Sequence, residues 1–149
     1  MSRNLIYLHY VFTPKKRQGI IDPARERELF AYIMGITDNL GGKLIRINAA
    51  WNHIHLLVKL PTTVTASNYI ATVKRSTSIH IREKKIYPKF WGWSREYNVH
   101  SVSPGDVERV KHYIANQKEH HKIVTFEDEW IASLPPEERA NWKMSYFDD

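Results

Sequence analysis

Residues 51–60 read Trp51-Asn52-His53-Ile54-His55-Leu56-Leu57-Val58-Lys59-Leu60. On an extended chain, successive side chains point to opposite faces. Ile54, Leu56, Val58 and Leu60 then form one continuous apolar face, which has to be buried against something. His53 and His55 stand side by side on the other face. The segment is therefore a strand with one side committed to a core and two imidazoles on its opposite, open side. Pro61 and Thr62 end it. Upstream, Lys43 to Asn48 alternates as a partner strand, and the short turn around Ala50-Trp51-Asn52 makes the two a hairpin.

Other elements fall into place on either side. Leu5 to Thr13 alternates as a first strand, broken by Pro14 and the basic Lys15-Lys16-Arg17. Asp22-Pro23 is a helix start, Leu29, Ile33, Ile36 and Leu40 are its apolar stripe, and Gly41-Gly42 stops it. A second helix is predicted from about Ala66 to Lys84, with Ile70, Val73, Thr77 and Ile81 inward. After Phe90-Trp91-Gly92-Trp93 comes a fourth strand near Tyr97 to Val102. Ser103-Pro104-Gly105-Asp106 then opens a third helix, to about Lys122. The order β-α-β-β-α-β is that of the split βαβ fold, ferredoxin-like or RRM-like. The expected class is thus α+β: an antiparallel sheet with helices on one face, plus a C-terminal helix. We expect one domain over residues 1–126, with that helix at about 104–122, and an acidic tail at 127–149.

Composition narrows the partners. The 149 residues carry a formal charge of +6 and no Cys, so disulfides, thiol nucleophiles and Cys-based zinc sites are excluded. Residues 127–149 hold seven acids against Arg139 and Lys143, leaving 20 bases and nine acids, a net +11, in residues 1–126. From Lys74 to Arg95 seven bases face the single acid Glu83. A field of this sign suits a polyanion, nucleic acid first, although a solvated basic face has the same composition. No apolar run nears the ~20 residues that span a bilayer. The opening MSRNLIYLHYVF shows no apolar leader, and a cytoplasmic protein without membrane attachment is expected.

Two constellations carry chemistry. The paired imidazoles of His53 and His55 are ready ligands for a metal ion, which needs a third ligand to close the site. On the third helix Tyr113 and Gln117 are four residues apart and share a face. A phenol can attack a phosphodiester when a metal or a local positive field assists it, since its free pKa is about 10. The Gln117 amide oxygen could supply the third ligand to a hard divalent ion. Each feature also has a structural reading: two histidines on a half-exposed strand, an aromatic at the edge of a core, a surface amide. His9, on the same strand face as Tyr7, is either a support for the metal site or a structural residue.

Taken together, the motifs resemble those of one family. His53-Ile54-His55 resembles the His-hydrophobe-His signature of the HUH nucleases. Tyr113-x-x-x-Gln117 resembles the catalytic tyrosine and metal-binding Gln of the small single-tyrosine transposases of bacterial insertion sequences. Tyr7 to Arg17, Trp51 to Leu57, the run Tyr113-Ile114-Ala115-Asn116-Gln117-Lys118-Glu119-His120-His121 and the tail Thr125-Phe126-Glu127-Asp128-Glu129 extend the similarity over about Leu5 to Leu134. Glu96-Tyr97-Asn98-Val99 departs from the Gly-Tyr-aromatic often found at the fourth strand.

The resemblance implies a DNA transposase that cleaves and rejoins single-stranded DNA, folded into hairpins at the ends of a mobile element. His53, His55 and Gln117 would hold Mg²⁺ or Mn²⁺, and Tyr113 would form a 5′-phosphotyrosine intermediate. It also implies a homodimer, because one tyrosine links only one DNA end. Lys74, Arg75, Arg82, Lys85 and Lys89 would track phosphates, and Trp91 or Trp93 would stack on bases or else fill core or dimer contacts. Two other readings share the topology: a non-catalytic RRM-like protein that binds single-stranded nucleic acid, and a replication initiator or relaxase of the same nuclease class.

Overall fold

A computed structural model describes residues 3–120 and 125–139. Among these, strands β1 (Tyr7–Pro14), β2 (Lys43–Ala50), β3 (His53–Lys59) and β4 (Trp93–Val102) form one antiparallel sheet in the order β2-β3-β1-β4. This is the spatial order of the split βαβ fold. The two-residue turn Trp51-Asn52 joins β2 to β3, and β1 lies between β3 and β4 with Val11 opposite both His55 and Asn98.

Helices α1 (Glu26–Asn39) and α2 (Ala66–Lys84) cover one face. Their starts obey local chemistry. The Asp22 carboxylate accepts from Ala24 N–H at the Pro23 turn leading into α1, and the Thr65 hydroxyl accepts from Asn68 N–H at the head of α2. Gly41, at φ +85°, takes the chain out of α1 in a conformation that an L side chain would strain. The stripes read from sequence do face inward: Leu29, Ile33, Ile70, Val73, Thr77 and Ile81 are buried against Phe12, Ile54, Leu56 and Val58.

The opposite face is where sequence and structure part. The face bearing His53 and His55 is expected to be open, yet it too is roofed. Helix α3 (Val107–Ala115) sets Val110 and Ile114 on Leu57, and α5 (Phe126–Ser133) sets Phe126 and Trp130 on Val11. Both histidines are consequently buried, at 0% and 1% exposure. Nor is the predicted third helix continuous. It ends at Ala115, Asn116 turns at φ −96° and ψ 13°, and a short α4 (Gln117–His120) follows. The carbonyls released at this break are taken up by Asn48 of β2, whose amide donates to Ile114 O at 3.0 Å and Ala115 O at 3.2 Å. Its continuation to about Lys122 falls outside the described residues. So does the part of the acidic tail from 140 onward, with Lys143, Asp148 and Asp149. Helices α5 and α6 (Pro136–Arg139) fall in the segment read as that tail.

Candidate active site

Four elements converge on one side of the sheet. β3 supplies His53 and His55, β1 His9, α3 Tyr113, and α5 Glu129. The i, i+2 spacing on β3 sets both imidazoles on one face, and the antiparallel pairing of β1 lays His9 beside them. Each ring is oriented through its Nδ1 side. The Asn52 side-chain oxygen lies 2.8 Å from His53 Nδ1, and His9 Nε2 lies 2.8 Å from His55 Nδ1. An amide oxygen only accepts, so His53 carries its proton on Nδ1 and presents the Nε2 lone pair. His9 is pushed down to about 3, chiefly by burial and then by neighbouring His55 and His100, and is neutral near pH 7. Its ring is thus a neutral neighbour that orients His55.

Glu129 is the hub. Its Oε1 lies 3.1 Å from His55 Nε2 and 3.8 Å from His53 Nε2. Its Oε2 accepts the Tyr113 hydroxyl hydrogen and lies 3.0 Å from His120 Nε2. One ligand atom each from His53, His55 and Glu129 fall within 4.8 Å of one another. Two buried imidazole nitrogens and a partly buried carboxylate form a donor set that fits a divalent cation. These residues could hold a metal. The Phe126 ring stacks on His53 at 4.4 Å and closes the site from above. The ion pair between Arg17 and Glu127, at 2.6 Å, ties α5 to the basic turn after β1.

Tyr113 is in place but not ionised. Burial, the hydrogen bond to Glu129 and that carboxylate's charge all push its phenol well above the usual tyrosine range, while Gln117 acts in the opposite direction. The Tyr113 ring lies 5.8 Å from that of His55 of the same chain. Buried Gln117 is against Tyr113, brought there by the break at Asn116 rather than by uninterrupted helical spacing.

The sequence reading missed Glu129, counting it among the acids of the tail. The available signal was Phe126, Trp130 and Leu134, an i, i+4, i+8 stripe that demands a docking partner, with Glu129 three residues from Phe126 on much the same side.

Residues 2–117 match the family described as "Transposase IS200 like". The chain belongs to that family. Its HxH strand and its Tyr113 and Gln117 lie within the matched segment, and Glu129 lies beyond it. Curated relatives of this transposase family include the transposases for insertion sequence element IS200 of Salmonella typhimurium and Salmonella typhi. Each is 23% identical over 120 residues, covering 77% of this chain and 78% of theirs. In fold the chain is similar to the crystal structure of a candidate transposase from Deinococcus radiodurans (TM-score 0.61, 18% identity, 78% of this chain and 95% of that one). It is likewise similar to a REP-associated tyrosine transposase bound to a REP hairpin (TM-score 0.61, 16% identity, 100% and 95%).

The basic residues gather elsewhere. Lys74, Arg75, Arg82, Trp91 and Trp93 line one groove of about 640 Å³ between α2 and the edge strand β4, whereas Lys85 and Lys89 are exposed outside its lining. The tryptophans differ. Trp91 is 59% exposed, while Trp93 is buried against Phe12 with its indole N–H donated to Thr77, so its ring is core. Lys74 donates to the carbonyls of Ser94 and Arg95, and Arg82 to that of Trp91. Among the described residues, no helix is long and apolar enough to cross a membrane.

Proposed function

We propose that this transposase cleaves and rejoins single-stranded DNA through a covalent tyrosine intermediate. Tyr113 is the nucleophile: its hydroxyl attacks phosphorus, the bond to the 3′-oxygen breaks, and a 5′-phosphotyrosine and a free 3′-hydroxyl result. The diester bond is exchanged rather than hydrolysed, so rejoining by attack of a 3′-hydroxyl needs no nucleotide cofactor. The observation that carries the reading is the hydrogen bond from Tyr113 to the carboxylate of a His-His-Glu cluster. It puts the nucleophile beside the one group of the described residues suited to a cation.

His53, His55 and Glu129 would hold the ion, Mg²⁺ or Mn²⁺, with Gln117 as a further oxygen ligand or a positioner of the phenol. Bound there, such an ion would supply Lewis-acid stabilisation of the charge that grows on the scissile phosphate. Glu129 does two things besides: it orients the Tyr113 hydroxyl and offers an acceptor for its proton. His9 holds the His55 ring in place.

DNA runs along the edge strand β4, whose residues line both the basic groove and the cavity beside Tyr113. Lys74, Arg75 and Arg82 track phosphates there, with Lys85 and Lys89 beyond, and Trp91 offers an exposed stacking face. A hairpin substrate is supported by the structural relative bound to one. The working form is a homodimer, since each tyrosine joins one end. The RRM-like alternative needs an exposed sheet platform, whereas here α3 and α5 cover that face.

The test is direct. The full chain is incubated with Mn²⁺ and heat-denatured single strands carrying the element's ends, and an SDS-resistant protein–DNA adduct is expected. An adduct formed equally well by Tyr113→Phe removes Tyr113 from the role.

A further inference from the structure

On the β4 side of Tyr113 the sheet and the C-terminal helices enclose a cavity of about 520 Å³. That is within the range of sites that take small molecules or single nucleotides. Its floor holds His9, Asn98 and His100 from β1 and β4, Trp130 stands at one wall, and Tyr113 and Arg109 border it from α3. Of the polar groups on this floor His9 is engaged with His55, whereas Asn98 and His100 contact mainly each other. Asn98 Nδ2 meets His100 Nε2 at 2.7 Å, and among the described residues the amide's oxygen and second N–H have no other protein partner. Burial holds His100 below the usual histidine range, and since its Nε2 accepts from the Asn98 amide, its Nδ1–H is the group left to donate. A carboxamide with a donor and an acceptor left over matches the edge of a nucleobase. Arg109, with its side chain 74% exposed, has among the described residues a loose pairing with Asp106 at 3.7 Å. An exposed pair of that kind is weak, and the guanidinium can turn to a phosphate.

We infer that this cavity receives the base of a nucleotide flanking the bond Tyr113 attacks, with Asn98 and His100 recognising its edge and Arg109 meeting its phosphate. The inference rests on the reading of Tyr113 as a nucleophile toward DNA, and adds a specificity pocket to it. Recognition of the cleavage position is then in part a property of the protein's own side chains.

The test uses the full chain. Single strands selected for binding from a randomised pool in EDTA are resynthesised with an abasic site at each position in turn. At one position the wild type loses about tenfold or more in affinity, the scale of one stacked and hydrogen-bonded base. With Asn98→Ala or His100→Ala the loss at that position shrinks to about twofold or less, whereas Arg109→Ala, at an exposed side chain, weakens every strand alike. With Mn²⁺ added, the cleaved bond is next to the sensitive position. The inference is overturned if no position shows this pattern, if Asn98→Ala keeps the wild-type profile, or if cleavage occurs away from the sensitive position. A wild type that discriminates in EDTA yet forms no adduct with Mn²⁺ sinks the nucleophile reading and leaves a base-binding pocket. One that forms the adduct without discrimination does the reverse.

Discussion

The Tyr113 hydroxyl donates to Glu129, sixteen residues further along the chain, and that bond links the phenol on α3, through α5, to the paired imidazoles of His53 and His55 on β3. Burial first, and then the hydrogen bond and charge of a carboxylate that could also hold a cation, raise the phenol above the usual tyrosine range. Charge at the cluster and reactivity at the tyrosine are therefore coupled through one side chain.

Replacing Tyr113 by Phe tests the nucleophile with little disturbance of the packing. The half-buried ring is kept, and one hydrogen bond to a carboxylate that retains other neighbours is lost. Adduct formation should vanish, whereas chemical denaturation should show a loss of about 1–3 kcal/mol at most. Mn²⁺ binding followed by calorimetry should survive.

Glu129→Ala addresses the cluster. Two imidazoles alone bind a divalent ion weakly, so loss of the carboxylate should cut Mn²⁺ affinity by about tenfold or more, and His53→Ala by a comparable factor. Gln117→Ala, titrated alongside, separates a ligand from a positioner. A ligand's loss lowers Mn²⁺ affinity, and a positioner's loss lowers only the rate of adduct formation. Unchanged affinity in Glu129→Ala would leave the carboxylate outside the metal site.

Much of this architecture is legible in local pattern. The alternation around His53 fixes which face of β3 is apolar, and the stripes of α1 and α2 say what covers it. Helix starts follow from Asp22-Pro23 and Thr65, where a side-chain oxygen satisfies a backbone N–H within three residues. What is hidden depends on distant partners. The break at Asn116 is stabilised by Asn48, 68 positions earlier, and no helical period reports it. Glu129 was lost among acids because its meaning comes from docking. Only when Phe126 and Trp130 seat α5 on β1 and β3 does one carboxylate of an acidic run become buried. For Trp93 the sequence leaves base stacking and core packing both open, and the structure takes the second, with the indole N–H donated to Thr77.

Asn48 makes that dependence measurable. Besides the Ile114 and Ala115 carbonyls, its side-chain oxygen accepts from Lys118 Nζ at 2.6 Å, so one residue of β2 secures both sides of the break. Asn48→Ala leaves those carbonyls unpaired and should cost about 1–3 kcal/mol in chemical denaturation. Mn²⁺ affinity through His53 and His55 should change little, while adduct formation should fall steeply, because Tyr113 immediately precedes Ile114, whose carbonyl is the first released. Wild-type adduct rates in this variant would show that docking of the break on β2 does not position the phenol.

Lys74 supplies a prediction in pH. Burial lowers its ammonium to about 8 against an ordinary value of about 10.5, with Glu96 opposing, while Tyr97 packs its ring below and the Ser94 and Arg95 carbonyls accept from Nζ. Because the folded value lies below the unfolded one, the unfolded chain binds the extra proton between them. Stability from this group therefore rises with pH across the window from about 8 to 10.5, and the cost of holding the buried charge is at its fullest below it. Comparison with Lys74→Met removes the contribution of every other group, including the buried tyrosines that titrate higher. Denaturation at pH 7.5, 8.5 and 9.5 should show the wild type gaining on the variant at each step. DNA affinity should move the other way: as Lys74 loses its proton near pH 8, the wild type should lose part of its advantage over Lys74→Met. At pH 9.5 the two should bind alike and show the same salt dependence, whereas at pH 7 the variant's slope is shallower by about one phosphate contact. Equal slopes at both pH values would mean that Lys74 serves only to clamp β4 to α2.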